Sequence, residues 1–207
     1  MTMSPLISAM IAAAHAAGEG LIADRERIAT LTIHSKAGAA DMFTEADLKA
    51  EATVRERLMA HAPDYGFLGE EGGLTPGRDA DHVWVVDPLD GTTNFLTGSP
   101  LFAVNIALTR QGEVIAGVTH VPAMNEIFWA ETGSGAWLKP GTAVGTTSSG
   151  ASSTIRVPLI VMSAVQVPAM VCMSGMLKLH HHQAKRHSDG LPKPVTPESD
   201  ASVASGR

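Results

Sequence analysis

Residues 84–95 read Trp84-Val85-Val86-Asp87-Pro88-Leu89-Asp90-Gly91-Thr92-Thr93-Asn94-Phe95. Trp84, Val85 and Val86 are aromatic or β-branched, the composition of a buried strand. The strand is expected to end on Asp87, because Pro88 has no N–H to give to a sheet ladder. A second carboxylate, Asp90, follows three residues on. Two acids crowded at a strand exit repel each other unless a cation or a shared proton compensates. With oxygen ligands and no nearby His or Cys, that cation is hard, magnesium before calcium or manganese. Gly91-Thr92-Thr93-Asn94 then opens a helix or turn, and backbone N–H groups freed there suit a phosphate. The outline is a metal-assisted phosphoryl site.

Ordinary turn chemistry also uses Asp-Pro and Asp-Gly, so the pieces alone are weak. An EF-hand loop needs oxygen ligands at alternate positions, and Leu89 and Gly91 occupy two of those. The haloacid dehalogenase pattern, D-x-D-G-T, has one residue between its acids where this chain has two. The whole string is more specific than its parts. It resembles the W-x-x-D-P-x-D-G-T-x-N-F signature of the inositol monophosphatase family, the lithium-sensitive, magnesium-dependent sugar and nucleotide phosphatases. Every fixed position is present.

Composition sets bounds around that motif. The chain has 207 residues, enough for one large domain, and its 44% hydrophobic content suffices for a core. A net charge of −6 argues against a nucleic-acid partner. The lone Cys172 cannot form an intramolecular disulfide, and residues 1–23 carry no Lys or Arg for a signal-peptide n-region. A cytoplasmic setting is expected. Charge is uneven: residues 1–150 hold 18 acids and 9 bases, residues 151–207 hold 3 acids and 6 bases.

Upstream, Leu6, Met10, Ala13, Ala17, Leu21 and Ile28 mark one face of an amphipathic helix over 5–28, with Asp24 to Arg27 as its soluble end. Gly38 marks a loop or a turn between two short strands. Thr44-Glu45-Ala46-Asp47 reads as a capping box that opens a second helix before Pro63. Asp47 and Glu51 share a face of it, and capping chemistry alone would account for Asp47. Tyr65 to Gly69 reads as a strand ended by Glu70-Glu71-Gly72-Gly73. Leu74 to Asp81 reads as an uninformative loop.

Downstream, Phe102, Val104, Ile106 and Leu108 alternate with Ala103, Asn105, Ala107 and Thr109, which is strand patterning. Gln111-Gly112 turns it into a hairpin with residues 113–119. Residues 126–130 and 133–138 give two more strands, the latter similar to the family's G-x-G-A strand. His120, without a second ligand nearby, reads as structural. Two helices followed by antiparallel strands indicate an α+β layer arrangement.

The resemblance implies more than these residues show. It implies a layered helix–sheet–helix fold of the sugar phosphatase type over residues 1–138. Glu70 of G-E-E, Asp87 and the Leu89 carbonyl would bind a first magnesium; Asp87 and Asp90 would bind a second. Asp47, closing D-x-x-T-x-x-D from Asp41, would pair with Thr92 to orient water, and Lys36 falls where the family has a basic residue. Gly91 and Thr92 N–H groups would hold phosphate. The substrate would be a small phosphomonoester, inositol monophosphate or a related sugar or nucleotide phosphate, and the assembly a homodimer.

Past Leu138 the motifs stop. The family's second, smaller α/β domain carries a W-D-x-A metal motif, and no Trp of this chain precedes an Asp. That domain is expected to be missing or replaced: residues 139–154 form a Gly/Thr/Ser-rich linker, and 155–207 an atypical apolar segment with a polar tail, as in a frame-shifted gene. Val157 to Leu177 is uncharged, but its Pro, Gln and Ser residues argue against a membrane span. His180-His181-His182 with His187 makes a poor metal site. The rival readings are an inactive metal-binding remnant and an interaction protein without catalysis.

Overall fold

A computed structural model describes residues 3–35, 42–139 and 155–156, with backbone only for Ser35, Met42, Ile155 and Arg156. Lys36, Asp41, the apolar run from Val157 and the histidines beyond it lie outside the described residues. The first helix, α1, spans Pro5–Arg25. The Ser4 hydroxyl caps it by accepting from Ile7 N–H at 3.1 Å, and Pro5 sits where its missing N–H costs nothing. Ile7, Met10, Ala13, Ala14, Ala17 and Leu21 are buried. The helix ends at Arg25, and a single 3₁₀ turn carries Ile28.

A two-stranded hairpin of β1 (Ile33–Ser35) and β2 (Met42–Thr44) leads into α2 (Glu45–His61). The capping box is formed: Asp47 Oδ2 accepts from Thr44 N–H at 2.8 Å, and Thr44 Oγ1 accepts from Ala46 N–H at 3.1 Å. Such caps contribute about 1 kcal/mol.

The main sheet has eight strands in the order β10-β9-β8-β7-β6-β5-β3-β4. They are β3 (Tyr65–Gly69), β4 (Gly73–Thr75), β5 (Asp79–Asp90), β6 (Ala103–Arg110), β7 (Glu113–Val121), β8 (Glu126–Glu131), β9 (Gly135–Lys139) and β10 (Ile155–Arg156). A short helix, α3 (Thr92–Leu96), lies between β5 and β6. The β3–β5 pair is parallel, and the other described pairings are antiparallel. Both long helices pack together and against one face of the sheet, α1 on β6 and β7 and α2 on β5. The core between them holds Phe67, Trp84, Phe95, Ile106 and Leu108, each at most 2% exposed. This is the mixed α+β sheet flanked by helices that the motifs imply.

Four readings of the sequence change. The strand does not stop at Asp87: β5 runs through Pro88 to Asp90. Asp87 faces Asn105 and Asp90 faces Ala103, so three steps on β5 match two on β6. That bulge removes the need for the N–H that Pro88 lacks. The stretch from Leu74 to Asp81 is mostly strand, β4 and the start of β5, with only residues 76–78 between them. An edge strand needs no buried alternation, so the pattern is silent there. Asp24 is buried at 7% exposure; Arg27 Nε donates to it at 2.8 Å, and Lys49 Nζ lies 3.7 Å away. Finally, β6 is buried on both faces, Asn105 and Thr109 included.

Candidate active site

The parallel pairing of β3 with β5 decides where the site forms. Both strands run the same way, so Glu70, next after β3, comes beside Asp87 on β5, with Glu70 N–H donating to Val86 O at 3.1 Å. Asp87 is 2% exposed, and its Oδ1 is a buried atom without a hydrogen-bond partner among the described residues. Burial, then the Glu70 charge, then Asp90 push the Asp87 carboxyl up to about 9. A hydrogen bond joins it to Glu70, and the Leu89 backbone donates to it.

Asp90 is raised too, by burial, against one compensating bond. Asn105 Nδ2 donates to Asp90 Oδ2 at 3.0 Å, while Thr119 Oγ1 donates to Asn105 Oδ1 at 2.8 Å. Asn105 is fully buried, so this relay from β7 through β6 fixes the Asp90 side chain. Sequence reasoning passed over Asn105. Its signal was an amide in a strand whose neighbours are apolar on both sides.

Gly91 turns the chain with φ +89°, a left-handed conformation that favours glycine, and a Cβ there would meet Leu101 O at 3.0 Å. That turn starts α3, whose first N–H groups have no partner within the helix. Thr92 Oγ1 lies 3.2 Å from Asp47 Oδ1 and 3.1 Å from Leu89 O. One hydroxyl proton serves only one of these at a time. Asp47 is 1% exposed; burial raises its pKa against bonds from Thr44 and Thr92. Thus Asp47 is both a helix cap and a partner of Thr92.

The residues brought together are therefore Glu70 with Asp87, Asp87 with Asp90 through charge, and Thr92 with Asp47 and Leu89. Among the described residues, no three His, Cys, Asp or Glu side chains already form a shell around a point. The donor set nonetheless fits a hard cation. It offers carboxylate and carbonyl oxygens, an unpartnered buried carboxylate oxygen, and a mutual repulsion that positive charge would relieve. His120 plays no part: it is 3% exposed, and its Nδ1 lies 3.1 Å from Ala14 O in α1. Burial lowers its pKa to about 4.

The sequence profile of the inositol monophosphatase family matches residues 2–191. The chain belongs to the inositol monophosphatase family. The profile match continues past residue 138, where the quoted motifs end. An inositol-1-monophosphatase of Caulobacter vibrioides is 55% identical over 130 residues, covering 62% of this chain and 50% of that protein. The Nus factor SuhB of Pseudomonas aeruginosa is 41% identical over 138 residues, 66% of this chain and 51% of the relative. Among solved structures, the extragenic suppressor protein SuhB of Bartonella henselae superposes with a TM-score of 0.64 at 45% identity, covering 65% of this chain and 52% of that one. The chain spans about half the length of the curated relatives it matches. Family membership supports a phosphatase class for the matched part.

Proposed function

We propose that the chain carries the metal-binding half of a magnesium-dependent phosphatase acting on a small phosphomonoester. The observation that carries this reading is the unpartnered, buried Asp87 Oδ1 between Glu70 and Asp90. Glu70, Asp87, the Leu89 carbonyl and Asp90 would hold magnesium, which when bound supplies positive charge and an activated water. The Leu89 carbonyl has two lone pairs, so accepting from Thr92 leaves one free. When the Thr92 hydroxyl donates its hydrogen bond to Asp47 instead of Leu89 O, a lone pair of Oγ1 is free to accept from a water and orient that water for attack. Gly91 and Thr92 N–H groups hold phosphate oxygens at the start of α3. Asn105 keeps Asp90 in one rotamer.

The same reading takes a phosphorylated metabolite as partner and a reducing, cytoplasmic setting, in keeping with a single cysteine. Other relatives carry the name Nus factor SuhB, which states no phosphatase activity. Magnesium-dependent release of phosphate from inositol 1-phosphate tests the proposal. Release abolished by chelator and by Asp87→Asn supports it. No release at any magnesium concentration, together with no magnesium-binding heat, overturns it.

A further inference from the structure

Glu51 lies one helical turn beyond Asp47 on α2 and is only 7% exposed. Its Oε2 accepts from Glu71 N–H at 2.8 Å and its Oε1 from Gly72 N–H at 2.9 Å. A carboxylate gripping two successive amides makes two charge-assisted bonds in a fixed fork. The amides belong to the turn that presents Glu70. Two glycines make room for the fork: a Cβ at Gly69 would sit 2.4 Å from Glu51 Cδ, and one at Gly72 2.6 Å from Oε1. One turn further, Arg55 lies over the Phe67 ring at 4.7 Å and donates to Thr75 Oγ1 on β4. Residues 47, 51 and 55 thus form one stripe of α2 that touches, in turn, the Thr92 segment, the Glu70 turn and the strand after it.

We propose that Glu51 is a positioning residue for the metal site: it locks the backbone around Glu70 so that this carboxylate meets Asp87, and it ties that turn to α2, whose Asp47 accepts from Thr92. The role rests on the magnesium-site reading above. Groups that orient a ligand's backbone or side chain typically alter metal affinity or activity by about 10–100-fold when removed.

The test compares Glu51→Gln and Glu51→Ala with wild type in the full 207-residue chain. Gly18→Ala, whose added Cβ meets His120 and Pro122 and none of the proposed metal ligands, serves as a variant that loses stability alone. Hydrogen exchange reads the Glu71 and Gly72 amides without metal, calorimetry reads magnesium alone, and phosphate release reads kcat and KM. Gln keeps one acceptor oxygen for two amides, so its effects should lie between wild type and Ala. We expect faster exchange at those two amides, magnesium affinity lowered about 10–100-fold, and a fall in kcat at unchanged KM. Gly18→Ala should keep wild-type magnesium affinity in its folded state. Wild-type magnesium affinity in both folded Glu51 variants overturns the role of Glu51 alone. A wild type that binds no magnesium, with Glu71 and Gly72 exchange still sensitive to Glu51, overturns the metal-site reading and this role with it.

Discussion

Replacing Asp87 by Asn should make the metal-free chain more stable and blind to magnesium. In the fold the Asp87 carboxyl is pushed up to about 9 from an ordinary 3.8 by burial, Glu70 and Asp90. A folded-state pKa raised this way favours folding fully below pH 3.8, and that contribution is lost progressively as pH rises toward 9. At pH 7 the interval from 3.8 is about three pH units, and at 1.36 kcal/mol per unit the ceiling is about 4 kcal/mol. The amide of the variant must find partners where Oδ1 has none, which takes back about 1–3 kcal/mol. A net gain of about 1–3 kcal/mol remains, or roughly 2–10 °C in unfolding midpoint for a chain of this size. The assay is thermal and urea unfolding in chelator at pH 5, 7 and 9, repeated with magnesium. Wild type should lose stability as pH rises and regain it with magnesium; the variant should show a flatter pH profile and no magnesium shift. An unchanged metal-free midpoint and pH slope, or wild-type magnesium affinity by calorimetry, would refute the reasoning.

Thr92→Ala should lower turnover on the order of 100-fold while leaving magnesium affinity nearly unchanged, since the hydroxyl orients water and is not itself a ligand; calorimetry beside steady-state kinetics checks it. Gly18→Ala sets helix propensity, worth about 1 kcal/mol in favour of Ala, against a Cβ 2.6 Å from His120 Cε1 and 2.9 Å from Pro122 Cγ. Overpacking costs about 1–3 kcal/mol and a displaced His120 loses its bond to Ala14 O, so denaturant titration should show net destabilisation. His120, held near 4 by burial, is neutral when folded; acid should erode stability as pH falls from 6.5 toward 4, and His120→Gln should remove that part of the pH dependence in urea titrations. Because it spans half of its relatives, the 207-residue chain should turn over inositol 1-phosphate at least about a hundredfold more slowly than a full-length relative, misplacement of substrate alone costing that much. Parallel rate measurements on both purified proteins decide it.

Much of the fold was legible because the signals were local. Thr44 and Asp47 declare a helix start in four residues, Tyr65 to Gly69 is bounded by the acids and glycines that follow it, and residues 102–109 declare a strand by period two, turned at Gln111-Gly112. Pro88 misled because a proline stops a regular ladder, whereas a bulge supplied by the pairing of β5 with β6 tolerates it, and pairing is non-local. Asp24 misled for a similar reason: α1 packs against α2, a non-local contact that brings Lys49 within 3.7 Å of its carboxylate. At the site, Asp47 with Thr92 and Glu70 with Asp87 could be named from motif resemblance alone. Asn105 and Glu51 could not, because what they do depends on partners on other elements, Asp90 and Thr119 for one, Glu71 and Gly72 for the other. Only the assembled sheet makes those encounters visible.

The contact between α1 and β7 also sets an order of events during synthesis. Ala14 and His120, which meet through a hydrogen bond, are 106 residues apart in the chain. At roughly 5–20 residues per second, a ribosome needs about 5–20 s to deliver the strand that covers a helix already made. In that interval α1 is a 21-residue apolar helix with the length and hydropathy of a membrane-crossing segment. What reaches it first is α2, ending at His61, which packs against it in the finished fold. Packing on α2 is therefore the first cover the chain offers α1, and that same helix carries Asp47 and Glu51, two of the groups that shape the site, both made before Asp87.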